Sequence, residues 1–333
     1  MERPLIAITV GDPAGIGPEI AAKALVDGDA IAAARCVVIG DRRVMERAIA
    51  FSGLDARIRP VERPADGDFR PGVVNLIDVA NADPALFRMG EVAGLCGRAA
   101  YGYIERGVRL ALAGEVAAVA TAPINKEALR LGGVDFIGHT EIFGALTGTA
   151  DPLTMFETRG LRVFFLSRHV SLREACDLVR KDRIIDCARR SLSMLRALGI
   201  ADGTMAIAGL NPHSGERGMF GSEEIDEVEP AVAELRAEGL PIVGPIGADS
   251  VFHLARIGRF AAVLSLYHDQ GHIATKTFDF ERTVAVTGGM PILRTSVDHG
   301  TAMDIAGRGA ASAVSMVEAI KVAARYAGGY SSR

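Results

Sequence analysis

Short, nearly uninterrupted apolar runs alternate along this chain with longer stretches whose apolar positions recur at helical spacing. The runs Leu5–Val10, Cys36–Ile39, Val73–Ile77, Ala117–Thr121, Val163–Ser167, Met205–Leu210, Ala262–Tyr267 and Val284–Thr287 predict strands. Continuous hydrophobicity is what a strand covered on both faces requires. Helices are predicted over Pro18–Val26, Val44–Phe51, Gly90–Ala113, Asp182–Leu198, Ser222–Glu238 and Ala311–Ala327. The alternation describes an α/β sheet flanked by helices. No repeat or low-complexity tract interrupts it, and Glu62–Asp68 reads as a surface loop.

Several apolar runs end in polar clusters. Gly11-Asp12-Pro13-Ala14-Gly15-Ile16-Gly17 follows the first, and Ala122-Pro123-Ile124-Asn125-Lys126 the fourth. Asn211-Pro212-His213 and His268-Asp269-Gln270 follow two later ones. Ligands in open α/β sheets collect at the carboxyl ends of strands, so clusters at equivalent ends favour a binding cleft over a set of unrelated turns. The loop Gly11–Gly17 matches neither a dinucleotide-binding fingerprint nor a P-loop. Its amides at a helix start suit an anion as well as a simple helix-entry turn.

The 333 residues exceed one ordinary core and suit two domains. A net charge of −4 with mixed signs argues against nucleic acid or a membrane surface as the main partner. The cysteines Cys36, Cys96, Cys176 and Cys187 form no paired motif, which predicts a reducing, cytoplasmic setting. No segment reads as a signal peptide or a membrane span.

Of seven histidines, His253 reads as a helix passenger and the others as strand-end loop residues. His169, His213 and His268 each follow a strand, and three neutral imidazoles with an open fourth position describe a catalytic divalent-metal site. A carboxylate such as Asp269 would orient one of the rings. A single strand-end histidine is more often a hydrogen-bonded loop residue, so pattern alone leaves both readings open.

Five segments together resemble the 4-hydroxythreonine-4-phosphate dehydrogenase family: Gly11–Glu19, Gly138-His139-Thr140-Glu141, Gly209–Glu216, Tyr267–Gly271 and Arg294–Ala302. They occur in the family's order and cover essentially the whole chain. The family includes relatives acting on 4-phospho-D-threonate and 4-phospho-D-erythronate, and a branch oxidising an aromatic cis-dihydrodiol. The resemblance implies an isocitrate/isopropylmalate dehydrogenase-like fold: two α/β/α domains with an interdomain cleft. Residues 1–125 with 275–333 would form the NAD-binding lobe, and 126–274 the metal, substrate and dimerisation lobe.

It also implies a homodimer whose metal, zinc foremost and otherwise magnesium, manganese or cobalt, is held by His169, His213 and His268, one of them donated across the interface. His139, Thr140, Lys276 and Arg294 would bind a small anionic substrate, Lys as a point charge and Arg as a bidentate fork. A second resemblance, of His299–Gly309 to the adenosine-binding loop of isopropylmalate dehydrogenases, makes His299, Gly300 and Asp304 cofactor residues. The acidic Asp304 favours NAD over NADP.

The implied reaction is oxidation of a hydroxy acid with loss of CO₂, such as 4-hydroxythreonine 4-phosphate to 3-amino-2-oxopropyl phosphate. Asp249 or Asp269 would be the general base. Two departures bear on the substrate. Ala285 stands where the biosynthetic members carry an Asn, and His272 follows Gln270-Gly271 as in the threonate-phosphate and dihydrodiol branches. An aldonate phosphate or a dihydrodiol carboxylate is therefore the alternative substrate, and a non-catalytic metal- or phosphate-binding protein the alternative class.

Overall fold

The structure, a computed structural model, describes residues 3–330. It opens with β1 (Leu5–Thr9), α1 (Gly17–Ala24), α2 (Gly28–Ala33), β2 (Arg35–Gly40), α3 (Arg42–Phe51), β3 (Arg57–Pro60) and β4 (Val73–Asp78). α4 (Gly94–Leu112), β5 (Ala118–Thr121), α5 (Lys126–Leu131) and α6 (His139–Thr147) complete this stretch. Next come β6 (Leu153–Thr158), β7 (Leu161–Phe165), α7 (Leu172–Asp177), α8 (Lys181–Ala197), β8 (Met205–Ala208), α9 (Glu229–Ala237) and β9 (Ile242–Ile246). They are followed by α10 (Ala248–Arg256), β10 (Ala262–Ser265) and α11 (His268–Phe278). The chain closes with β11 (Val284–Gly288), β12 (Arg294–Val297) and α12 (Val314–Ala327).

Two compact units result. The first runs up to Pro152 and resumes at Val284; the second is Leu153–Thr283. The junctions fall at Pro152 and Val284 where the sequence set them near 125 and 274. The reason lies in α4, a long helix against which α5 and α6 both pack. That packing groups residues 126–152 with the first unit.

In the first unit the strand order is β3-β4-β2-β1-β5-β12-β11. All pairs are parallel except β11 with β12. The central β1, Leu-Ile-Ala-Ile-Thr, is buried throughout, as a strand covered by helices on both faces must be. In the second unit the order is β6-β7-β10-β8-β9, with β6 antiparallel to β7 and the rest parallel. The sheets are cored by fully buried side chains such as Ile6, Ile8, Ile39 and Leu76 in the first unit and Val163, Phe164, Ile207 and Val263 in the second.

The eight predicted strands are present as β1, β2, β4, β5, β7, β8, β10 and β11, and the six helical patterns form α1, α3, α4, α8, α9 and α12. Four strands carried no readable signal: β3 is exposed except at Ile58, β9 contains Gly and Pro, β12 is Arg-Thr-Ser-Val, and β6 is broken by polar residues. Not all the histidines expected in loops are there. His139 is the first residue of α6, and His268 and His272 lie on α11. Among the described residues, no helix is long and apolar enough to cross a membrane.

Candidate active site

The first unit supplies two clusters. One is built on the carboxyl ends of β1 and β5. Gly11 turns with φ +69°, and a Cβ there would stand 2.2 Å from the Pro123 carbonyl oxygen, so only glycine allows the loop to lie against the turn after β5. Asp12 is buried, and its Oδ1 accepts the Ala14 amide at 2.9 Å. Its Oδ2 is enclosed without a partner. Burial lifts this carboxyl to about 6, with the Ala14 amide pulling the other way.

The loop 299–309 packs on this turn. The Ile16 amide donates to the Thr301 carbonyl at 3.0 Å. Glu19 accepts the Ala311 amide at 2.7 Å and Lys23 Nζ at 2.8 Å, and Lys23 reaches the carbonyls of Gly309 and Ala311. Of the cofactor candidates, Gly300 and Asp304 are exposed on this loop. His299 Nδ1 lies 3.0 Å from the Gly300 carbonyl.

The second cluster surrounds Arg294. This side chain, 4% exposed on β12, donates from Nε and Nη2 to Thr121 Oγ1 and from Nη1 to Thr287 Oγ1. Its guanidinium lies 5.3 Å over the Phe143 ring on α6. The same helix begins at His139 and Thr140. Burial, and then the charge of Arg294, holds the His139 imidazole well below the usual histidine range. It is therefore neutral at physiological pH, and its Nε2 is enclosed without a partner. Thr121, Thr287 and Phe143 escaped the sequence reading. Thr121, the last residue of a buried strand before a polar cluster, was the one with a visible signal.

The second unit carries the remaining candidates. His169 is exposed in the loop after β7, and His268 opens α11 directly after β10. Both line a pocket of about 260 Å³ together with Arg168, Tyr267 and Asp269. Their ring centroids are 6.2 Å apart. Asp269 Oδ1 lies 2.6 Å from His268 Nδ1. A carboxylate only accepts, so Nδ1 carries the hydrogen of this contact, and the neutral form of the ring has its lone pair at Nε2.

Behind His268, one helical turn on, is His272, with ring centroids 4.2 Å apart. Phe156 meets the His272 ring edge-on and Phe165 stacks on it. Burial, followed by the nearby charges of His268 and Lys276, brings the His272 imidazole down to about 4.

His213 lies on a separate turn, Pro212–Gly218, and is exposed. Asp249, in the first turn of α10, is exposed too, and α10 packs against the His213 turn. Lys276 sits two turns beyond His268 on α11, its Nζ 5.3 Å from the Phe280 ring centroid. Among the described residues, no three His, Cys, Asp or Glu side chains come together closely enough to hold a metal ion. One copy of the chain thus brings His169 and His268 to one pocket and leaves His213 apart from it.

Comparison with known proteins places the whole chain in a family. The model of the family described as pyridoxal phosphate biosynthetic protein PdxA matches residues 32–323. A Symbiobacterium thermophilum protein provisionally named D-threonate 4-phosphate dehydrogenase is 58% identical over 328 residues, 98% of each chain. A Clostridium botulinum protein with the same provisional name is 57% identical over 324 residues, 97% of each. The crystal structure of 4-hydroxythreonine-4-phosphate dehydrogenase from Klebsiella pneumoniae superposes with a TM-score of 0.90 at 43% identity, covering 98% of both chains. The chain belongs to the PdxA family and is a dehydrogenase.

Proposed function

We propose that this dehydrogenase oxidises the C3 hydroxyl of 4-phospho-D-threonate with NAD and a divalent metal, and that the resulting β-keto acid loses CO₂. By atom count the product is dihydroxyacetone phosphate. The preference for this substrate over 4-hydroxythreonine 4-phosphate is supported by the higher identity to the threonate-phosphate relatives, 57–58% against 43%.

Ala285 points the same way. It pairs with Ser296, and Thr287 with Arg294, in the β11–β12 register. Residues two apart on a strand share a face, so Ala285 shares one with Arg294. An Asn there would offer amide hydrogen bonds beside the anion-binding guanidinium; Ala offers none. The two substrates differ at C2, amino in one and hydroxyl in the other, and loss of an amide partner matters most for the group it served.

The observation that carries the chemistry is the Asp269–His268 pair, 2.6 Å apart, which fixes the ring and leaves Nε2 bare as a ligand. His169, His213 and His268 would hold the ion, with the set drawn from two copies of the chain. A divalent ion bound there supplies polarisation of the substrate hydroxyl and of the keto oxygen that follows. With Asp269 engaged in orienting His268, Asp249 is the candidate general base for the hydroxyl proton. Arg294 provides a fixed fork for an anionic end of the substrate and Lys276 a point charge. Neutral His139 contributes a hydrogen bond without adding charge. The loop with His299, Gly300 and Asp304 would hold the adenosine part of NAD, whose oxidised ring accepts the hydride.

The test is NADH formation by the purified protein on 4-phospho-D-threonate, 4-hydroxythreonine 4-phosphate and an unphosphorylated dihydrodiol carboxylate. Preference for the threonate in kcat/KM, reduced at least about tenfold in Ala285→Asn, supports the proposal. Equal or better turnover of 4-hydroxythreonine 4-phosphate by the unaltered protein would overturn the substrate assignment.

A further inference from the structure

The turn that carries His213 has a backbone its sequence does not favour. From His213 to Arg217 the φ angles are 52°, 52°, 78°, 43° and 54°, so five successive residues are left-handed and only Gly215 is suited to it. Crowding of Cβ against the following carbonyl costs an L residue roughly 1–2 kcal/mol in this region. Such a stretch persists only where its surroundings hold it.

A carboxylate from farther along the chain does the holding. Glu224 is fully buried. Its Oε1 accepts the backbone N–H groups of Leu210 and Asn211, both at 2.7 Å, and its Oε2 accepts the Asn211 side-chain amide at 2.8 Å. Glu223 takes the same amide at 2.6 Å. The middle of the turn closes on Glu224 as well: a Cβ at Gly215 would stand 2.8 Å from Oε2. Glu224 is thus bonded at the entry of the turn and in contact at its centre.

Burying a carboxylate is costly unless it is hydrogen-bonded, and the three charge-assisted bonds offset that cost. An apolar residue of similar size would fill the space without the desolvation penalty. What the charge adds is direction, because one group fixes three donors. Glu224 also opens a single π-helical turn, Glu224–Val228, that leads into α9. Local departures of this kind concentrate where a side chain must be aimed.

We propose that Glu224 is a positioning residue: by clamping the entry of the left-handed turn it sets the direction of the His213 imidazole. The inference rests on the reading of His213 as a metal ligand.

The test is a double-mutant cycle on the full-length, assembled protein, reading Zn²⁺ affinity by chelator competition. Glu224→Gln keeps the volume, but whichever way the new amide turns, at least one of the three donors meets an N–H. Glu224→Gln is expected to weaken Zn²⁺ binding about 10- to 100-fold. His213→Ala should weaken it at least as much, and the double variant no further than His213→Ala alone, since the clamp then has nothing to aim. A merely structural glutamate would lower affinity by the same factor in both backgrounds, which overturns the proposal. So does wild-type affinity in Glu224→Gln while His213→Ala is impaired. Wild-type affinity in His213→Ala would instead sink the ligand reading and this inference with it. If Glu224→Gln fails to fold, Asn211→Ala, which removes the amide held by both glutamates, enters the same cycle with a smaller loss expected in the His213 background only.

Discussion

His268 and His213 carry the same side chain in the same unit, and the chain holds them by opposite means. His268 is the first residue of a regular helix directly after a strand, preceded by an extended Tyr267. Its ring is fixed by the adjacent Asp269 and by His272 one turn on. The groups that fix its ring lie within a few residues. His213 begins a run of left-handed residues that local preference opposes, and the groups that fix the turn, Glu223 and Glu224, are at least ten residues away. A locally determined side chain is robust and readable; one imposed by a distant contact fails when that contact does.

The comparison yields its largest expected effect at the rings themselves. His268→Ala and His213→Ala should each lower turnover on the order of 10³-fold and reduce bound zinc in parallel, measured as NADH formation and elemental content. A variant active without metal would remove the basis for comparing them. Next is Asp269→Asn, which gives His268 Nδ1 a neutral partner. Zn²⁺ affinity should fall about 10- to 100-fold, and an unchanged affinity would show that His268 does not depend on its neighbour.

Gly215→Ala strikes the other side of the contrast. Positive φ and the close Glu224 oxygen together should destabilise the turn by roughly 1–3 kcal/mol. The loss should appear in Zn²⁺ affinity while the α11 end stays ordered, which exchange of its amides would report. Equal loosening of α11 would break the distinction between the two histidines.

The smallest effect belongs to the first unit. The carboxyl of Asp12, raised to about 6, holds its proton in the folded state at pH values where the unfolded chain has lost it. The folded chain therefore binds more protons between the two pKa values, and stability falls as pH rises through that window, the penalty being complete above about 6. Asp12→Asn is free of this dependence. Its stability relative to the parent should shrink by about 1.4 kcal/mol between pH 7.5 and 5, read from denaturant titrations at each pH. Zn²⁺ affinity should not move.

The same division explains what could be read in advance. His268 and Asp269 were legible because a buried strand ending in Tyr-His-Asp announces a strand-end site. Arg294 was legible only through the likeness of its segment to a known family. The strand it stands on is four residues with polar character, and its partners Thr121 and Thr287 lie 173 and 7 residues away. α11 was not predicted, since its apolar positions are few and its buried face is made of Gln270, Gly271, His272 and Thr275. Glu224 lies inside a predicted helix among other acids, where no local pattern singles it out; burial made it a clamp.

By itself the sequence determined the alternation of strands and helices, the polar ends of several strands and the family, because these depend on short-range periodicity and on the order of a few segments. Tertiary structure alone decided that α5 and α6 join the first unit, that Asp12 is stripped of water and His139 Nε2 enclosed, and that a left-handed turn survives around His213. Those outcomes depend on which distant groups share a dehydrated space, and no local pattern encodes that.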